Sequence, residues 1–311
     1  MPFKKIRTEH HFAFNGLDWL VARDEGLFEK EGLEVEFVDT GGGRQKTELS
    51  LENRWNDVSS AAGHARAMEA GEANMLNACE WGNYRRSQDS TQGGRQVGRR
   101  ACVPCGAIVV PPWSDIYTPQ QLANKTVAVP FHAGTHYLTL QMLEGFVPRD
   151  QIRVVHSGGG VGKVQRFRSM ITGETDACSV TEPWNTVADK MGCRTIVQGF
   201  YNGTDIITEE VDLETYAALN RALSEAVRRI KSDRRKYCQY FIDGDNAPEV
   251  KMLSVNDFNL NRLVYIEPGT PIPEGQMKNT YDWMVSWNLI DEGLGVEDLI
   301  NTQVAALAND N

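Results

Sequence analysis

The chain has 311 residues, of which 41% are hydrophobic and 24% charged, and its 42 acidic and 32 basic residues give a formal net charge of −10. This composition is close to that of an average soluble globular protein and excludes disordered, collagen-like and disulfide-scaffold chains. The acidic balance argues against a nucleic-acid partner, and no apolar run approaches the roughly 20 residues that a membrane span requires. At about 150 residues per domain, the length favours two domains.

The first predicted elements are a strand, a helix and a second strand. Residues 4–7 predict a strand, and Leu17, Leu20 and Val21 follow with helical spacing. Residues 33–38 alternate between apolar and polar side chains, as a half-buried strand does. This alternation of strand and helix predicts an α/β fold with a parallel sheet.

The same alternation returns in the middle of the chain. Strands are predicted at residues 126–129, 152–155 and 177–180, with helices at 136–144 and 164–171 between them. This stretch has enough elements to form a small α/β domain of its own.

The last third of the chain is predicted to be mainly helical. The apolar residues between 213 and 230 form one helical stripe, which Asp212 precedes as an N-cap. Residues 276–289 and 296–308 also have helical patterns.

The sequence carries no complete cofactor motif. The glycine-rich run 157–164 meets neither the phosphate-loop nor the dinucleotide pattern. The CxxC pair at 102–105 has no second pair to complete a zinc site, so structural thiols are favoured. His132 and His136 lack the glutamate of a zinc-peptidase motif. We therefore expect neither a metal nor a cofactor.

Histidine placement is the strongest functional pattern. Each of the six histidines lies at the end of a predicted strand or in the turn after it: His10, His11, His64, His132, His136 and His156. In parallel α/β sheets the ligand crevice lies beyond the carboxyl ends of the strands. Because imidazole transfers protons near neutral pH, these side chains are candidate acids and bases.

Cys79 follows a predicted strand at 73–78 and belongs to the same region. A thiol beside imidazoles is a candidate nucleophile. A small, buried, unreactive side chain is an equally good interpretation, because cysteine is often buried for packing alone. The sequence leaves both open.

The amino terminus and the cysteines bear on the cellular compartment. Residues 1–6 are followed by neither the apolar stretch nor the cleavage site of an export signal. Six cysteines in a chain this long favour free thiols in a reducing compartment. Both observations favour a cytoplasmic location. A periplasmic protein whose export signal has been removed is the alternative.

The segment Gly16–Val35 resembles the opening of the nitrate/sulfonate/taurine-binding and thiamine-pyrimidine-synthase-like group of type II periplasmic-binding-protein folds. Further matches are Thr118–Leu122, Gly134–Tyr137, Gly173–Ala177 and Glu182–Trp184, and the resemblance covers about residues 4–230. It implies two α/β lobes, joined by two crossings, that close on a ligand in the cleft between them.

Applied to this chain, the resemblance implies a discontinuous first lobe at 1–103 and 200–311 and a second lobe at 107–197. The crossings then fall near 104–106 and 198–199. Most members of the group are receptors for ABC importers, and a minority are cytosolic enzymes. The iron-binding cysteine motif of the synthases is absent here. The cysteine nucleophile of the desulfinases is also absent, because histidines occupy that loop.

Two functions are consistent with these observations. The first is a cytoplasmic enzyme that closes on a small anionic aromatic or heteroaromatic molecule and cleaves it, by hydrolysis or by C–C or C–S bond cleavage, with histidines transferring protons. Its candidate catalytic residues are His10, His11, Cys79, His136 and Glu182, with Glu182 orienting one of the others. The alternative is an ABC-importer solute-binding protein for a sulfonate, nitrate or pyrimidine-type ligand, whose partner would be an ABC permease.

Both functions use the same predicted ligand-binding residues. Trp81, Tyr137 and Trp184 are expected to stack on a planar part of the ligand. Helices beginning near Gly16 and Thr135 are expected to offer free N–H groups and positive potential to an anion. The remaining predicted ligand-binding residues are Asn15, Gly63, His64, Glu80, His132 and Gly134.

Overall fold

The computed structural model describes residues 4–38, 67–89, 95–157, 163–291 and 293. The strands in chain order are β1 (Lys4–Glu9), β2 (Leu33–Val38), β3 (Met75–Cys79), β4 (Arg95–Arg99), β5 (Cys102–Val103), β6 (Cys105–Val110), β7 (Thr126–Val129), β8 (Arg153–His156), β9 (Ala177–Thr181), β10 (Arg194–Phe200), β11 (Gly203–Ile207) and β12 (Val264–Tyr265).

The helices are α1 (Ala13–Asp24), α2 (Leu27–Lys30), α3 (Glu80–Asp89), α4 (Gly134–Glu144), α5 (Lys163–Ile171), α6 (Trp184–Lys190), α7 (Leu213–Ser232), α8 (Arg234–Tyr237), α9 (Gln239–Asp243), α10 (Pro248–Lys251) and α11 (Glu274–Ser286). The helix predicted at 296–308 lies outside the described residues.

One half of the molecule is built around the strands β1 to β4 and the later strand β11. Strands β1 and β2 pair in parallel, as predicted. Beside them, β11 pairs antiparallel with β3 and with β4. Helix α7 packs on α1 and α2, and its N-cap is Asp212, whose carboxylate accepts a hydrogen bond from the Thr215 N–H at 2.7 Å. The predicted cap is therefore confirmed.

The other half contains a five-stranded sheet in the order β10-β6-β9-β7-β8. Strands β7, β8 and β9 are parallel, in agreement with the prediction, whereas β6 runs antiparallel to both of its neighbours, β9 and β10. The sheet is mixed because the chain enters it along β6 and leaves it along the neighbouring β10, where Gly106 lies opposite Gly199. The predicted crossings thus lie side by side, and the lobe boundaries drawn from them stay a prediction.

No helix among the described residues is long and apolar enough to cross a bilayer. The six cysteines are all free and buried. Cys102 and Cys105 lie on the separate strands β5 and β6.

Helix α11 connects the two halves of the molecule. Toward its start, Thr280 donates a hydrogen bond to Glu80 of α3 at 2.7 Å. At its end, Glu144 of α4 accepts from the indole N–H groups of Trp283 and Trp287 at 2.5 and 2.9 Å and from Arg149 at 3.0 Å. One half-buried carboxylate therefore fixes the end of this helix on the five-stranded half.

Glu144→Ala is expected to lower the free energy of unfolding by about 2 kcal/mol, because it removes three hydrogen bonds to one charged group. Urea denaturation followed by tryptophan fluorescence measures the loss. Asp282→Asn is the matched control on the same helix, because within the described residues Asp282 makes only an exposed i,i+4 pair with Lys278, a type of pair with little effect on stability. Equal stabilities for the two variants would contradict the assigned role of Glu144.

Candidate ligand-binding cleft

A cleft of about 1520 Å³ lies between the two halves of the molecule. Its walls come from the loop after β1, the end of β3, the turn after β7, the start of α5, the end of β9 and the segment Gln239–Pro248. Both sheets thus contribute their strand ends, which is where ligands bind in α/β folds.

The loop after β1 places His10, His11 and Asn15 on the cleft. His11 is buried and stacks on Trp19 with ring centroids 4.4 Å apart. Gly16 allows this packing, because a Cβ at that position would lie only 2.8 Å from the His11 Cβ. His11 is therefore held in the wall, His10 is exposed, and their catalytic or binding roles stay predictions.

The turn after β7 places His132, Gly134 and Thr135 on the cleft. His132 has a positive φ of 57°, and its N–H donates to Nδ1 of His136 at 3.1 Å. Burial lowers the pKa of His132 to about 4 and holds the pKa of His136 well below its usual 6.5. Both imidazoles are neutral at pH 7, and His136 lies behind the cleft lining, which corrects its predicted position at the reacting centre.

Cys79 lines the cleft, but its thiol is not activated. It accepts a hydrogen bond from the Gly82 N–H at 3.3 Å. Burial raises the pKa of the thiol above its usual value, so it remains protonated at neutral pH and is a weak nucleophile. This environment favours the packing interpretation of Cys79.

Glu80 and Trp81 lie elsewhere than predicted, because helix α3 begins directly after β3 in place of a loop. Glu80 accepts hydrogen bonds from Thr280 and from Gln276 at 2.7 and 3.1 Å. Trp81 packs with Tyr137 and other rings in an aromatic cluster. None of Glu80, Trp81 and Tyr137 is part of the cleft lining.

Trp184 is fully buried against Phe167 and also lies outside the lining. Its indole N–H donates to Asp245 at 2.9 Å, and Asp245 itself borders the cleft. Glu182 does line the cleft, where it accepts two hydrogen bonds from Thr186 at 2.8 and 3.2 Å. Within the described residues, Glu182 makes no hydrogen bond to a histidine. Gly63 and His64 lie outside the described residues.

Six cationic residues that the sequence analysis did not select also line the cleft: Arg23, Arg86, Arg100, Lys163, Arg166 and Arg168. Arg86, Arg100 and Arg166 are each at most 4% exposed. Burying a charge is costly unless it is paired, so three buried guanidinium groups on one cleft indicate a site for an anion. They belong to α3, to the residue after β4 and to α5, and they share no sequence motif that could have identified them.

Arg100 is positioned by backbone and side-chain acceptors. Its Nε donates to the Cys102 carbonyl and its Nη1 to Asn77, both at 3.1 Å. Its buried Nη2 has no hydrogen-bond partner within the described residues. Gly203 provides the space, because a Cβ there would lie 2.2 Å from Arg100 Nε.

Lys163 and Arg166 lie one turn apart on α5. The Lys163 ammonium lies 3.4 Å from the centroid of the Phe14 ring. Desolvation of the ammonium and the charge of Arg166 lower the pKa of Lys163 to about 7. Burial lowers the pKa of Arg166 to about 10, so this guanidinium stays positive at neutral pH. Its Nε donates to the Ser179 carbonyl at 3.2 Å.

The described residues contain no group of three or more His, Cys, Asp or Glu side chains that could hold a metal ion. The cleft lining offers N–H donors, imidazoles, buried cations, aromatic rings and the carboxyl groups of Glu9, Glu182 and Asp245.

The architecture is the two-lobed fold of type II periplasmic-binding proteins, which confirms the predicted fold class. The protein is similar to the alkanesulfonate-binding protein SsuA of Xanthomonas axonopodis pv. citri bound to MOPS (TM-score 0.66, 14% identity, 97% of this chain and 99% of that chain). It is also similar to the periplasmic aliphatic sulphonate binding protein SsuA of Escherichia coli (TM-score 0.68, 14% identity, 96% and 92%).

A further similar structure is the desulfurization enzyme DSZB (TM-score 0.61, 11% identity, 99% of this chain and 100% of that chain). No protein-family profile matches the sequence, and no curated protein matches it. At these identities the likeness establishes the fold and leaves the function to be argued from the cleft.

Proposed function

We propose that this protein is a solute-binding protein that closes on a small organic anion, of the sulfonate or carboxylate type, as the substrate-binding component of an ABC importer. The observation that carries the proposal is Arg100, a buried guanidinium on the cleft wall with one nitrogen left without a hydrogen-bond partner in the described chain. A carboxylate or sulfonate supplies the missing acceptor and makes a charge-assisted hydrogen bond to this guanidinium.

The arrangement favours binding over the enzyme function that the sequence analysis preferred. Cys79 is kept as a thiol, His136 is enclosed, and His132 is neutral at pH 7. Fixed donors and cations are sufficient to hold an anion, whereas catalysis requires a group that can change its protonation state at the working pH. The two SsuA proteins named above bind sulfonates, which agrees with this proposal.

A thermal-shift panel tests the proposal. It comprises MOPS, butanesulfonate, benzenesulfonate, benzoate and nitrate, with butanol and a neutral pyrimidine as uncharged controls. A ligand at 100 times its Kd adds about 2.7 kcal/mol to the free energy of unfolding, which gives a clear rise in Tm. We expect Tm to rise with the organic anions and to stay unchanged with the neutral controls. No rise with any anion, or an equal rise with the neutral controls, would overturn the proposal.

Turnover distinguishes the enzyme function from the binding function. Any anion that raises Tm is incubated with the protein and followed by NMR, and we expect it to be returned unchanged. Cleavage of the bound anion would instead support the enzyme function.

The Cys79 thiol is expected to react slowly with iodoacetamide in the native protein at pH 8, because burial raises its pKa. Mass spectrometry of the Cys79 peptide measures the rate, and the same peptide in urea-unfolded protein is the control. We expect Cys79→Ser to bind the anion with a Kd within about threefold of wild type. Rapid native alkylation would instead identify Cys79 as an activated nucleophile.

A further inference from the structure

Two of the buried arginines that line the cleft have no carboxylate partner. Arg100 is 2% exposed and Arg166 is 3% exposed, and neither makes an ion pair within the described residues. Other buried arginines in the same protein are paired. Arg86 lies 3.9 Å from Glu9, and Arg262 is paired with Asp189. Arg100 and Arg166 differ from these two arginines, since the described residues give neither of them an ion pair.

The acceptors that hold these guanidinium groups are uncharged. Arg100 donates to a carbonyl and an amide oxygen, and Arg166 donates to the Ser179 carbonyl. Neutral acceptors orient a guanidinium without neutralising it, and a buried charge left uncompensated costs several kcal/mol in general. An anionic group of the ligand can therefore pair directly with each guanidinium, since the described residues give neither of them an ion pair.

The two cations belong to different walls of the cleft. Arg100 directly follows β4 of the three-stranded sheet, and its backbone N–H donates to the Gly203 carbonyl of β11 at 3.0 Å. Arg166 lies on α5, which packs on β7 and β9 of the five-stranded sheet. Lys163, on the same helix as Arg166, adds a second positive group to that wall. A single carboxylate or sulfonate on one wall leaves the other wall uncompensated.

An aromatic ring lies beside a cation of each wall, Tyr201 beside Arg100 and Phe14, which belongs to α1, beside Lys163. The Arg100 guanidinium carbon lies 5.9 Å from the centroid of the Tyr201 ring, and the Lys163 ammonium lies over Phe14. Both rings border the cleft. The part of the ligand between its two charges therefore meets apolar and aromatic surface.

We infer that the ligand carries two anionic groups, one bound by Arg100 and the other by Arg166 with Lys163, joined by an apolar linker: a dicarboxylate, a disulfonate or a sulfonated carboxylate. The inference rests on the proposed function and specifies the class of anion. Binding one anionic group on each wall also connects the two halves of the molecule through the ligand.

Matched ligand pairs test this inference by isothermal titration calorimetry. Butane-1,4-disulfonate and 4-sulfobutanoate are compared with butanesulfonate, and the three benzenedicarboxylates are compared with benzoate. We expect wild type to bind at least one dianion about tenfold or more tightly than its monoanion, as a second charge-assisted contact provides. In Arg166→Gln this preference should disappear, because the dianion loses its second charge-assisted contact and its Kd approaches that of the monoanion.

Three further variants keep the result interpretable. Arg166→Lys should recover part of the preference, because it restores the charge. Arg100→Gln should weaken monoanions and dianions alike. Arg221→Gln is the control, because Arg221 is exposed and paired with Glu31 away from the cleft. Circular dichroism confirms the fold of each variant. If Arg166→Gln does not fold, Arg166→Lys replaces it, and a preference for the dianion as large as in wild type would then overturn the inference.

The outcomes separate the two proposals. Tight binding of monoanions with no preference for dianions overturns this inference and leaves the proposed function standing. No binding of any anion overturns both. A dianion preference that persists at its wild-type size in Arg166→Gln also overturns the inference, because the second charge would then be bound elsewhere.

Discussion

Gly203→Ala is expected to weaken anion binding by about tenfold to a hundredfold, although it removes no charge and no donor. A Cβ at this position would lie 2.2 Å from Nε and 2.3 Å from Cζ of Arg100. The guanidinium would have to leave the position set by its bonds to Cys102 and Asn77. The loss of one charge-assisted hydrogen-bonded contact corresponds to that range of affinity.

Calorimetry with butanesulfonate measures the effect, and Gly145→Ala is the matched control. Gly145 ends α4 with a φ of −74°, and a Cβ there would meet nothing within 4 Å. The added methyl at Gly203 would also approach the Ala78 carbonyl at 2.7 Å, so some loss of Tm is expected. If that variant does not fold, Arg100→Lys keeps the charge without the fixed guanidinium and should also bind weakly. Wild-type affinity in a folded Gly203→Ala or in Arg100→Lys would show that Arg100 does not anchor the anion.

The elements with a strong apolar period were predictable from sequence. Strand β7 has the predicted bounds, Thr126–Val129, and the predicted stripe from 213 to 230 matches α7. Strand β11 was not predicted, because it places Thr204 and Asp205 in the core. Asp205 is accommodated there by hydrogen bonds from Tyr216 and Asn77 at 3.0 Å each. Such distant partners leave no local pattern in the sequence.

The candidate site was predictable only in part. The rule that ligands bind beyond strand ends selected His10, His11, Cys79 and His132, which line the cleft, and their roles there stay predictions. It failed for Trp81, because the residues after β3 form a helix that turns this side chain into the core.

The buried cations were missed for a different reason. Arginine is usually exposed and is common on surfaces. Only the folded chain shows that Arg100 and Arg166 are buried, lack carboxylates within the described residues and belong to the same cleft. Their function therefore depends on tertiary structure that the sequence pattern does not encode locally.

Anion affinity is expected to fall about tenfold or more as the pH rises from 6 to 8. Lys163 has a pKa of about 7 and loses its positive charge over this range. Burial raises the pKa of Asp18 and of Asp205 to about 7, so both carboxyl groups become negative near Arg100 over the same range. All three changes make the cleft less positive. The affinity for the anion is therefore highest at pH 6 and falls as the pH rises through 7. His132 and His136 stay neutral throughout and contribute nothing.

Calorimetry with butanesulfonate measures this effect, since a sulfonate stays ionised at every pH used and the titration belongs to the protein. In Lys163→Arg the side chain keeps its positive charge at pH 8, so the part of the fall in affinity that comes from Lys163 should disappear. In Asp18→Asn this side chain stays neutral, so the part of the fall in affinity that comes from Asp18 should disappear. Asp18 is fully buried, and its ionised carboxylate offsets the positive charge of Arg100. Circular dichroism at each pH establishes that the fold is retained. A Kd that stays constant from pH 6 to 8, or that falls as the pH rises, would mean that neither α5 nor the carboxyl groups near Arg100 control the charge of the site.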